Sequence, residues 1–378
     1  MNKNKLTAAL KRKALAAAVM VAVSGSAFAD VTIYGIIDIG INGDSSDNDV
    51  LRVDGGEGTA IELPSIWGIK GSEDLGGGLT ASFALESDLN ASDGSARITG
   101  GDRFWARQSN VSLSNEMGTL TLGGIYSPAI LAAAAVDPRS LFESQSGLLQ
   151  FALLGGANDA TARAAMGAAA GTGTDNTNIH VDVFLRNAIQ VKFAPGPLSV
   201  ALAYGAGEVA GDTGANSNFH ANAIYSSEGI TVAANYVSNK GTSAVDDSYG
   251  ENQKMLIGAK YKMDNISISG HYMKGEANSI TTGAQAVENE GYAVGLTYFS
   301  GNGEFDVAYY GTKNENSGVT DAENDEIIVA YRNNLTQRTT LYAKLCSSDR
   351  GANAPAGACI GTQGENDTYY GFGVFHKF

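Results

Sequence analysis

From Val31 to Phe378, hydrophobic and polar side chains take turns in short runs. Leu79, Ala81, Phe83 and Leu85 alternate with Thr80, Ser82, Ala84 and Glu86. Tyr292, Val294, Leu296 and Tyr298 make a second stripe, Phe305, Val307 and Tyr309 a third, and Ile327, Val329 and Tyr331 a fourth. The chain ends on Tyr370, Phe372, Val374, His376 and Phe378 at every second position, with Phe375 an aromatic misfit on the opposite face. A period of two is a strand period. Tyrosines flanking a short apolar stripe match an interfacial girdle. A soluble sandwich alternates in the same way, so periodicity alone leaves both architectures open.

The spacing between runs separates them. Strands are predicted near 31–42, 61–72, 78–88, 103–114, 118–125, 181–194, 197–206, 217–226, 229–239, 251–263, 265–275, 288–299, 303–313, 323–333, 338–348 and 365–378. Tight turns such as SEDLGGG, NEMG, SSEG and SGNG alternate strictly with longer loops rich in Gly, Asp, Asn and Ser. Short turns at one end and long loops at the other characterise a transmembrane barrel, whereas a sandwich does not require them. After a 29-residue leader the chain gives about 22 residues per strand and connection, enough for strands of 9–11 residues tilted through lipid. The predicted class is therefore all-β: a 16-stranded antiparallel transmembrane β-barrel. One connection, about 126–180, is far too long for a plain loop and includes the apolar FALLGG. Inside a barrel such a segment folds into the lumen and narrows it.

The leader sets the compartment. Lys3, Lys5, Lys11, Arg12 and Lys13 precede an apolar stretch from Ala14 to Val23 and the small-x-small site Ala27-Phe28-Ala29. Residues 1–29 read as a cleaved secretory signal, and 30–378 as one barrel domain. The alternative, a helical anchor, falls short of the ~20 apolar residues a bilayer requires. No later run is long enough either. Removing the five basic side chains of the leader leaves 20 basic against 40 acidic groups, a net charge of −20, which argues against nucleic acid as a partner.

Cys346 and Cys359 are the only cysteines. In an exported chain two cysteines this close most simply form a loop disulfide, the alternative being a pair of reduced thiols. The four histidines, His180, His220, His271 and His376, have no metal-ligand spacing, so no metal or cofactor is expected. The acidic run GDSSDND at 43–49 lacks the spacing of a calcium loop. No GxSxG, HExxH or phosphate-loop motif occurs, and no enzyme is expected.

Several segments carry a family likeness: TIYGIIDIGI, WGIKGSEDLGGGLTASFALES at 67–87, FWARQSNVSLSNEMGTLTLG at 104–123, LRNAIQVKF at 185–193, NLTQRTTLYAKL at 334–345 and the terminal YGFGVFHKF. With these the chain resembles the Gram-negative outer-membrane porins of the neisserial, betaproteobacterial type. The resemblance implies a homotrimer whose third loop faces a basic wall, and a location in the outer membrane reached through the periplasm. Lipid, lipopolysaccharide and the barrel assembly machinery are its implied partners. The machinery would read the terminal Phe378, with Phe372 and Tyr370 upstream.

Carried over position by position, Arg107 and Arg186 occupy constriction-arginine positions. Ile66 replaces an arginine where the usual SRWGLKG reads SIWGIKG, and Gly124 replaces another. Strand parity places Lys70 on the same face as Ile66. Asp137 and Glu143, in VDPRSLFES, are the nearest acidic candidates on the third loop. Cations facing carboxylates across a water column would sort permeating solutes by charge.

These readings converge on a channel for passive diffusion of small hydrophilic solutes and ions, weakly selective or cation-preferring. The rivals are a substrate-specific porin with an apolar constriction and a non-conducting surface adhesin. An enzyme housed in a barrel is a third, and no nucleophile–base pair supports it.

Overall fold

Sixteen long strands form where alternation predicts them. The computed structural model describes residues 30–45, 52–55, 62–97, 104–142, 146–147, 183–215, 217–240, 249–279, 285–316, 320, 322–354, 359 and 365–378. The predicted signal, Glu143 and most of the third loop lie outside these residues. The sheet begins with β1 (Asp30–Asp44), β2 (Arg52–Asp54), β3 (Ile66–Gly76), β4 (Leu79–Leu89), β5 (Ala96–Arg97), β6 (Gln108–Asn115) and β7 (Gly118–Tyr126). A helix, α1 (Pro128–Val136), opens the long loop. Then follow β8 (Phe184–Phe193), β9 (Leu198–Gly205), β10 (Asn218–Ser227), β11 (Ile230–Lys240), β12 (Tyr249–Met263) and β13 (Ile266–Ser279). The last are β14 (Gln285–Ser300), β15 (Gly303–Asn314), β16 (Glu323–Asn334), β17 (Thr339–Arg350) and β18 (Glu365–Lys377).

Each long strand pairs antiparallel with its neighbours, and β1 closes the ring between β3 and β18. The short strands extend the edges where long ones stop. β2 continues along β1 above β3, and β5 continues along β4 above β6. A closed ring leaves no unpaired edge, the condition for a sheet to exist in lipid.

Two departures from the predicted strands have local causes. The strand expected at 61 starts at Ile66, because the N–H groups of Glu62 and Leu63 donate to the Asp38 carboxylate at 3.0 and 2.8 Å rather than joining a ladder. Likewise β6 begins only at Gln108, after Phe104 and Trp105 have packed with Trp67 in an aromatic cluster.

The outer surface is apolar. Val232, Ile257, Ile268, Val294, Leu296, Val307, Leu341 and Val374 are all exposed on outward-facing positions. Tyr204, Tyr236, Tyr292 and Tyr370 border this band toward the long loops; Tyr225, Tyr261, Tyr298 and Tyr331 border it toward the tight turns. The turns suit the sheet's twist: Glu228 and Gly229 both take positive φ, 50° and 82°, the type I′ geometry that follows right-handed strand twist.

At the closing seam the inward Phe375 finds its explanation. Its ring stacks on Tyr342 with centroids 6.4 Å apart, in the space left by Gly373 opposite Tyr342. On the outer face, Tyr370 and Phe378 cover Gly43 and Gly35 of β1, positions where a side chain would collide with those rings. Phe378 also exchanges both backbone hydrogen bonds with Gly35, at 3.1 and 3.2 Å.

Candidate channel constriction

The third loop enters the lumen as α1. Pro128 stands at the first helical position, and the Ser127 hydroxyl accepts from the Ile130 N–H at 3.1 Å, a start that satisfies one orphan donor and needs none from proline. The remaining residues are nearly all small and apolar. They pack on the inward face of the wall: Ala129, Ile130, Ala132, Ala133 and Val136 form one buried cluster with Ala233, Val237, Leu256 and Met273 of β11–β13. Inward asparagines hold the first turn. Asn222 Nδ2 donates to the Pro128 carbonyl at 2.6 Å and Asn235 Nδ2 to that of Ala129 at 2.9 Å. Gly258 and Gly295 let the loop approach closely, since a Cβ on either would lie 2.6 Å from Val136 or Pro138.

Asp137 ends the helix and is fully buried. Its Oδ2 accepts the N–H groups of Arg139 and Leu141, both at 2.9 Å. Its Oδ1 accepts from the Gly147 N–H at 2.9 Å and the Tyr310 hydroxyl at 3.1 Å. The carboxylate therefore folds the loop onto β15 and presents no charge to water, contrary to the expectation that it faces the channel.

Beyond it, buried Arg139 donates to Glu62 at 2.6 Å. Glu62 lies 3.5 Å from Arg332, whose guanidinium reaches Asp306 at 2.6 Å and Glu304 at 3.1 Å and stacks 4.1 Å from the Phe142 ring. Burial alone would raise the Glu62 pKa, but Arg139, Lys344 and Arg332 together hold it below the usual carboxylate range. For Arg139, burial works to lower the pKa, and Glu62 and Asp306 more than reverse it. Lys260 donates to Ser140 at 3.1 Å from another strand.

In strand order around the ring, the described part of the loop packs along β10–β16, across the ring from β3–β8. There the sequence-predicted residues occupy different environments. Arg107 is 7% exposed; its Nε donates to Glu86 at 2.9 Å, Nη1 to Asp88 at 2.6 Å and Nη2 to the Tyr126 hydroxyl at 2.6 Å. The Phe184 ring lies 4.9 Å from its guanidinium carbon. The wall arginine is thus an ion-paired node. Arg186 is half-buried beside Asn187, whose φ of 48° marks an irregularity in β8. Ile66 is inward and buried, opposite Asp88. Lys70 is exposed in the lumen, 4.9 Å above the Tyr34 ring, and Tyr34 in turn donates to Glu86 at 2.8 Å.

Parity along the strands identifies lumen cations that motif matching missed. Because Val191, Tyr261 and Phe378 face outward, Lys192, Lys262 and Lys377 face inward near the turn end, exposed and with no carboxylate partner among the described residues. Tyr331 outward likewise places Arg332 inward. Of the histidines, His220 and His271 are buried on the inner face and His376 contacts Thr339 on the outer one. Cys346 and Cys359 are joined as a disulfide.

An apolar, tyrosine-bordered exterior, a polar interior and a helix folded inside define a channel-forming β-barrel of the outer membrane. The chain belongs to the Gram-negative porin family, whose sequence pattern matches residues 14–353. Outer membrane porin protein 32 of Delftia acidovorans is 27% identical over 97% of this chain and 100% of its own length. The major outer membrane protein P.IA of Neisseria meningitidis is 32% identical over 34% of this chain, a match spanning 36% of that relative. An outer membrane porin protein of Bordetella pertussis is 35% identical over 34% of this chain and 37% of its own length. Among solved structures, the anion-selective porin from Comamonas acidovorans superposes with a TM-score of 0.74 at 21% identity, covering 93% of this chain and 100% of that one. A trimer form of OmpT from Vibrio cholerae superposes at 0.63 with 11% identity, covering 93% of this chain and 99% of that one.

Proposed function

We propose that the protein is a homotrimeric diffusion porin, passing small hydrophilic solutes and ions without chemistry. The observation that carries this reading is the helix α1 laid against the inner wall, where it narrows a polar lumen. Planar-bilayer recording tests it: current steps in groups of three support a trimer of open pores, and a lack of steps would favour the adhesin reading.

The ion preference we propose is weak. Arg107 stands between two carboxylates and Arg332 between Glu304 and Asp306, so neither guanidinium supplies a net positive field at the narrow section. Lys70, Lys192, Lys262 and Lys377 add positive charge inside the lumen nearer the turns, where Glu73, Asp74, Glu116, Glu228 and Asp264 offset it, and the acidic loops supply negative charge outside. Reversal potentials under a salt gradient check this; selectivity as firm as the name of the Comamonas porin declares would overturn it. Liposome swelling with graded solutes separates general from specific diffusion, size-ordered rates supporting the first.

A further inference from the structure

The disulfide lies where the outer mouth meets the constriction. Cys346 is on the inward face of β17, opposite Ile328 on one side and Tyr369 on the other. Cys359 belongs to the connection between β17 and β18, yet it is fully buried, and its N–H donates to Glu326 of the inner wall at 3.0 Å. Both cysteines belong to one buried cluster with Ala293, Ala308, Tyr310, Ile328 and Tyr369. Tyr310 is the residue whose hydroxyl holds Asp137, and Asp137 gathers three backbone N–H groups of the third loop. A single packed line therefore runs from the disulfide through the Tyr310 ring to the foot of the constriction. Nearby, Arg350 donates to the Ala354 carbonyl at 3.0 Å.

We propose that the Cys346–Cys359 disulfide is a positioning device for the constriction: by keeping Cys359 in the buried cluster that holds Tyr310 it steadies the Asp137 end of the third loop, so the aperture depends on the oxidation state of this pair. The inference rests on reading the lumen as an open channel. A dithiol reductant would break the Sγ–Sγ bond, delivering two electrons and two protons to give two thiols while the dithiol closes to its own cyclic disulfide. Cys359 then leaves the cluster, water reaches the Tyr310 ring, and the bond to Asp137 loses its packing. Local opening of this kind is set by buried contacts and needs no unfolding of the barrel.

The test records one inserted channel before and after dithiothreitol, with free thiols counted by alkylation and mass. Reduction raises mean conductance and about doubles open-channel noise, as expected when a constriction loop gains freedom. The paired variant Cys346→Ala, Cys359→Ala reproduces that state and does not respond to dithiothreitol; it decides the matter if the buried bond resists the reagent. Tyr310→Phe, with the disulfide intact, gives the same noise, which separates this line of contacts from a general loosening of the mouth. Unchanged conductance and noise in the reduced or cysteine-free channel would overturn the proposal, whereas an absence of any current steps would overturn the channel reading itself.

Discussion

Arg107 illustrates how a cation inside a channel can contribute little field. With Glu86 and Asp88 both in contact, its site carries one net negative charge, and the pair geometry is buried enough to matter. Removing the guanidinium leaves two buried carboxylates unanswered, a change that costs about 3–5 kcal/mol in comparable pairs. Arg107→Gln should therefore lower the thermal stability of the folded barrel and move the reversal potential toward cations; an unaltered potential would mean this wall segment does not face the permeation path. Ile66→Arg should move it the other way, by less than a full charge, because Asp88 lies directly across the strand pair. A third test uses pH. Glu62 has its carboxyl held below the ordinary range in the folded state, so its contribution is fully present above the unfolded carboxylate pKa of ~4.3 and is lost as pH falls through the lower folded value. Channel noise should stay flat from neutral pH to ~5 and rise only in stronger acid. Strand parity made the inward direction of Lys70 and Ile66 legible in the sequence. The partners were not, since Glu86 and Asp88 of β4 meet Arg107 only through the β4–β6 register, which is set across the long connection between those strands.

α1 was illegible for a related reason. PAILAAAAV is apolar all round, so it has no amphipathic stripe to say which side meets the wall, and Leu131 is left exposed in the folded barrel. Its docking is written instead into single positions on distant strands: Asn222, Asn235, Gly258 and Gly295. Asn235→Ala removes the partner of a buried carbonyl, a loss of about 1–3 kcal/mol. Conductance of that variant should fluctuate between levels as α1 leaves the wall, and a steady trace of native size would show that Asn222 and the apolar cluster suffice. The final strand was the opposite case, legible in full except for Phe375, whose place depends on Gly373 leaving room beside Tyr342. Phe378 closes the ring through two backbone bonds and a ring over Gly35. Deleting it should reduce the yield of heat-modifiable folded protein in the membrane while leaving the conductance of inserted molecules unchanged.

Across the whole molecule, the two mouths of the barrel carry different mixtures of charge: acidic groups dominate the loop end, whereas inward lysines stand beside Glu73, Asp74, Glu116, Glu228 and Asp264 at the turn end. At the loop end Glu276, Glu288, Glu290, Glu315, Glu323 and Asp325 crowd the rim, opposed there by Lys274 and Lys313, which are already paired with glutamates. At the turn end Lys70, Lys192, Lys262 and Lys377 line the interior. Fixed charge acts on ions only within a Debye length, ~10 Å at 0.1 M salt and ~3 Å at 1 M. Under a gradient, the mouth bathed in dilute salt is therefore the mouth whose charge is felt. With dilute salt on the loop side, the acidic rim enriches cations and the reversal potential should shift to cation preference. With the gradient inverted, the lysines and the turn carboxylates are unscreened together while the rim is screened, and the preference should shrink. Recording oriented insertions under both gradients measures this directly. Reversal potentials equal in size for the two directions would mean that the narrow section alone, with its compensated arginines, sets the selectivity and that neither mouth contributes.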